Sequence, residues 1–74
     1  MTRLPQVDAA RLIRALERAG FVEHKQRGSH RSFKHPATGY RTTVAVHGGD
    51  VGRGLLKQIL KQAGLTEKEF RDLL

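Results

Sequence analysis

The chain has no cysteine and no tryptophan. Without thiols it can form neither a disulfide nor a thiolate metal site. No apolar run reaches the 18 residues that a membrane-spanning helix needs. Acids are scarce, with seven Asp and Glu against 14 Lys and Arg. Outside the expected helices and their caps, only Glu23 and Asp50 carry carboxylates. Two-metal phosphodiester cleavage needs a carboxylate cluster, and glycosidase-type hydrolysis needs a carboxylate pair. That shortage excludes both.

What the chain does have is positive charge, a formal +7 with a sequence pI near 10.9. Such a surplus on 74 residues suits a polyanionic partner, and nucleic acid is the usual one. The length fits a single domain over residues 1–74, with a core so thin that each large apolar side chain counts. The first twenty residues are charged throughout and contain no apolar signal core, so a cytoplasmic location is expected.

Local punctuation predicts two main helices. In the first, Asp8 is the N-cap, Val7 is placed to staple onto Leu12, and Gly20 ends the run. Leu12, Ile13, Leu16 and Ala19 form its apolar face. In the second, Leu55, Leu56, Ile59, Leu60 and Ala63 are the buried stripe, and Gly64 stops it. Thr66 and Glu69 then form a capping box for a short last helix that buries Phe70, Leu73 and Leu74.

Three strand patterns lie between: Phe21–Arg27, Ser29–His35 and Tyr40–His47, with turns at Gly28 and at Pro36–Gly39. The expected fold is α+β, ordered α-β-β-β-α. One antiparallel three-stranded sheet carries both helices on one face and leaves the other open. In the second strand Phe33 belongs inside, so Ser29 and Arg31 share its side while His30, Ser32 and Lys34 face out. In the third, Tyr40, Thr42, Val44 and Val46 point in; Arg41, Thr43, Ala45 and His47 point out. The facing of the first strand, with His24, is not assignable from alternation alone.

His24, His30 and His35 have no familiar metal-ligand spacing, and no metal or cofactor is expected. The chemistry left to such a face is metal-free acid–base catalysis on RNA, which carries its own nucleophile in the 2′-hydroxyl. A neutral imidazole can take that proton, and Lys34, Arg31 or Arg41 can hold phosphate charge.

The motifs Gly28-Ser29-His30, Phe33-x-His35-Pro36, Thr43-Val44-x-Val46-His47 and Leu56-x-x-Ile59-Leu60-Lys61-Gln62-Ala63-Gly64-Leu65 together resemble the HicA family of toxins. The resemblance implies a double-stranded-RNA-binding-like fold and a toxin of a type II toxin–antitoxin system, acting as an mRNA interferase. It implies that a HicB-type antitoxin covers the active face, and that His30, in the Gly-Ser-His motif, is the catalytic histidine. Ser29, Arg31, Lys34, Arg41 and His47 are the expected RNA contacts. Two departures from the family pattern stand at Ala45, where proline is common, and at Gly54-Leu55-Leu56, where Gly-Thr-Leu is common. A non-catalytic RNA-binding module of the same fold is the alternative, and a domain binding only an acidic protein is a third reading.

Overall fold

A computed structural model describes residues 4–74. A two-residue strand, β1 (Val7–Asp8), leads into α1 (Ala9–Arg18). Three strands follow, β2 (Val22–Arg27), β3 (His30–Lys34) and β4 (Arg41–Ala45). A second two-residue strand, β5 (Asp50–Val51), precedes α2 (Arg53–Ala63) and α3 (Glu67–Leu73). The main sheet is antiparallel in the order β2-β3-β4, with β3 in the middle. This is the α+β, double-stranded-RNA-binding-like architecture expected from the sequence, with the short last helix added.

The helix punctuation forms as the sequence predicts. The Asp8 carboxylate accepts from the Arg11 amide at 2.8 Å. After α1, Gly20 takes φ +102°, and the Phe21 amide reaches back to the Leu16 carbonyl at 3.0 Å. Gly64 repeats this at φ +71°, with the Leu65 amide on the Leu60 carbonyl at 2.9 Å. A left-handed residue lets these amides satisfy carbonyls that the helix leaves open, and glycine adopts it without a Cβ clash. Both bonds of the Thr66–Glu69 capping box are present, at 2.9 and 3.0 Å.

One core results. Leu12, Ile13 and Leu16 of α1 meet Phe33 and Val44 of the sheet, with Leu56, Ile59, Leu60 and Ala63 of α2 and Phe70 of α3 in the same cluster. Phe33 and Phe70 are fully buried. Thr42 is buried too, and its hydroxyl donates to Gln62 Oε1 of α2 at 2.9 Å.

Burial stops short at both ends of β4. Tyr40 and Val46 lie outside the strand and stay 51% and 41% exposed, Tyr40 with one ring edge against Gly64 at the end of α2. Ser29 belongs to the turn and not to β3. The β1–β5 pair, Val7 against Val51 and Asp8 against Asp50, has no sequence signature, since two residues are too few to show a period. It ties the entry of α1 to the entry of α2.

Candidate nucleic-acid interface

The open face of the sheet is set by cross-strand register. In β3, Phe33 is buried and Arg31 lies over its ring on the helix side, 5.7 Å from the centroid. His30, Ser32 and Lys34 therefore occupy the outer side. Their β4 partners are Ala45, Thr43 and Arg41, and the hydroxyls of Ser32 and Thr43 meet at 3.1 Å.

The β2 side holds what sequence reasoning missed. A β-bulge between Glu23 and Lys25 leaves His24 without a β3 partner. Val22 opposes Lys34 and Glu23 opposes Phe33; beyond the bulge Lys25 opposes Ser32, Gln26 opposes Arg31 and Arg27 opposes His30. Directly opposed residues share a face, so Lys25 and Arg27 stand outside with His30. A signal was available at the turn. Arg27 and His30 flank a two-residue Gly28-Ser29 loop whose glycine has φ +58°, a hairpin in which the flanking residues must pair.

The outer face thus has three residues from each strand: Val22, Lys25 and Arg27; His30, Ser32 and Lys34; Arg41, Thr43 and Ala45. Four are cations and none is an acid. None of these cations has an ion pair among the described residues. His30 is exposed at the turn end of this face.

The sheet's own acid is kept on the other side. Glu23 accepts two bonds from Arg31, at 2.6 and 3.0 Å. The hydrogen bonding, then the guanidinium charge, holds the Glu23 carboxyl below the usual carboxylate range. Arg31 is therefore occupied on the helix side and does not gather with His30. Ser29 lies beside His30 in the turn, half-buried, its carbonyl accepting from the Val46 amide at 2.7 Å. His47 is exposed, two residues beyond the His30 partner Ala45, and lines a hollow of about 100 Å³ with Gly48, Gly49 and Asp50.

His35 has a structural post. Its Nδ1 accepts from the amides of Ala37 and Thr38 at 3.1 and 3.3 Å, so the ring proton sits on Nε2 and is donated to the Ala19 carbonyl at 3.0 Å. Its ring stands edge-on to Phe21, 5.1 Å between centroids. It clips the β3–β4 turn to the end of α1. Among the described residues, no group of three or more His, Asp or Glu side chains is placed to hold a metal ion.

A family signature described as "HicA toxin of bacterial toxin-antitoxin" matches residues 9–65, most of the chain. The chain belongs to the HicA toxin family. Every residue of the outer face lies inside the matched segment; α3, which closes the core with Phe70, lies beyond it. As a toxin of a toxin–antitoxin pair, the HicA protein has an antitoxin as its partner. No curated protein matches the chain. Among the described residues, no helix of the toxin is long and apolar enough to cross a membrane.

Proposed function

We propose that this toxin is a metal-independent endoribonuclease, an mRNA interferase that blocks translation in the cytoplasm with His30 as its general base. The supporting observation is the outer sheet face, where an exposed histidine at the turn end shares the surface with four cations and no carboxylate. A carboxylate-free basic face attracts phosphate and leaves an imidazole as the proton acceptor.

In the proposed reaction an RNA strand lies along the face. His30 takes the proton of a 2′-hydroxyl, and that oxygen bonds to the adjacent phosphorus. The P–O5′ bond breaks and the 5′ oxygen leaves with a proton from solvent. The products are a 2′,3′-cyclic phosphate and a 5′-hydroxyl. Lys25, Lys34 and Arg41 hold the backbone, with Ser29 and His47 flanking His30. Arg31 serves by holding β2 to β3 through Glu23. A HicB-type antitoxin silences the toxin by covering this face.

Purified protein with a defined RNA in EDTA tests the reading. The native protein should cut RNA and leave DNA of the same sequence intact. His30→Ala should keep its fold and, within a few-fold, its RNA affinity, while the rate falls by about 10²–10⁴. Cleavage by His30→Ala at the native rate would end the assignment. RNA binding without cleavage by the native protein would favour a non-catalytic module.

A further inference from the structure

We infer that Arg27 is the residue that holds the scissile phosphate for His30, and that the bulge at His24 exists in the site's geometry to put it there. The inference rests on the ribonuclease reading above.

Position along the strands separates the cations. The phosphorus under attack must lie within bonding reach of the 2′-oxygen whose proton His30 takes, so its counter-charge must originate beside His30. Lys34 is four residues along β3 and Arg41 opposes it, which places both about 13 Å away at roughly 3.3 Å per residue. Lys25 opposes Ser32, two residues along, or about 7 Å. Arg27 directly opposes His30, where paired Cβ atoms lie about 4.5–5.5 Å apart. Lys34, Arg41 and Lys25 are spaced to hold neighbouring phosphates. Arg27 alone starts from the reacting centre.

The backbone supports this. Strict alternation from Val22 would turn His24 and Gln26 outward and send Lys25 and Arg27 to the helix side. The bulge absorbs one residue and reverses that phase. Bulges beside reactive sites commonly re-aim a side chain in this way. The same phase leaves Glu23 inside, where it pairs with Arg31 and cannot compete for Arg27. The Arg27 fork fits the two non-bridging oxygens of the phosphate, on which charge grows as the 2′-oxygen bonds to phosphorus.

Single-turnover cleavage at saturating RNA tests the assignment. Arg27→Ala should lower the maximal rate by about 10²–10³ while the half-saturating RNA concentration changes by less than about threefold. Arg27→Lys should recover part of the loss, since it restores charge but not the fork. Replacing a non-bridging oxygen at the cut site with sulfur should slow the native protein, and Arg27→Ala should lose most of that sensitivity. Lys61→Ala, on the solvent side of α2, should cut at the native rate. A maximal rate for Arg27→Ala within threefold of native, or a purely affinity-based loss, would overturn the inference. If the native protein leaves RNA intact, it is the ribonuclease reading that has failed.

Discussion

Glu23 and Arg31 lock together on the helix side of the sheet, Oε1 to Nη2 at 2.6 Å and Oε2 to Nε at 3.0 Å. This removes the only acid of the three-stranded sheet from the face where His30 stands. The pair is about 30% exposed, so solvent screens it and its role is chiefly positional.

The pair also sets a pH dependence. Glu23 is held below its ordinary value of 4.5 by the Arg31 bond, and Glu69 likewise by the Thr66 amide and hydroxyl. A depressed folded-state value means the unfolded chain binds protons first as pH falls. Their stabilisation is therefore fully present above the ordinary value, and is lost as pH drops through the lowered folded values. Melting temperature should fall more steeply below about pH 4.5 in the native protein than in Glu23→Gln. Parallel melting curves for the two proteins from pH 7 to pH 3 would show the pair contributes nothing.

Gly20→Ala should weaken the clip between α1 and the β3–β4 turn. A Cβ there would sit 2.7 Å from His35 Nε2, and the residue's φ of +102° already disfavours a side chain. His35 cannot easily yield, being bonded at both nitrogens and packed on Phe21. Backbone strain and the lost bond together suggest about 2–3 kcal/mol, or a melting temperature lower by roughly 8–20 °C. His35→Ala in the same chain should make the Gly20 substitution less costly. Full additivity of the two changes would contradict the close approach.

RNA affinity should depend on salt through the outer face. Three to five phosphate contacts, an estimate, give a log–log slope of about −2 to −3.5 on single strands. Removing Lys34 and Arg41 together from the His30→Ala protein should make that slope shallower by about 1.4. A slope unchanged by the double substitution would place RNA elsewhere on the toxin.

The antitoxin should compete with RNA for the same face. Titrating it into the His30→Ala toxin should displace bound RNA, and charge reversal at Lys25 and Lys34 should weaken the toxin–antitoxin complex at low salt. A complex that binds RNA as tightly as the free toxin would show that inhibition works by another route.

Asp8, Gly20, Gly64 and the Thr66–Glu69 box act within a turn of their own positions, so the sequence alone determined where α1 starts, where α1 and α2 stop and where α3 starts. Phe33 likewise anchored the facing of β3, because alternation from one buried aromatic carries His30 outward over only three residues. Composition made the surface basic as a whole, and alternation in β3 and β4 put Lys34 and Arg41 on the open face. Tertiary structure decided which cations reach it. The bulge at His24 arises from how β2 registers against β3, and no residue near it announces an inserted position. With it came the facing of Lys25, whereas Arg27 follows from the Gly28-Ser29 hairpin and Arg31 from alternation with Phe33. Two-residue β1 and β5 likewise depend on Val7 meeting Val51 across more than forty residues. Punctuation is written in neighbouring residues, whereas register is a relation between distant ones that exists only once the strands have paired.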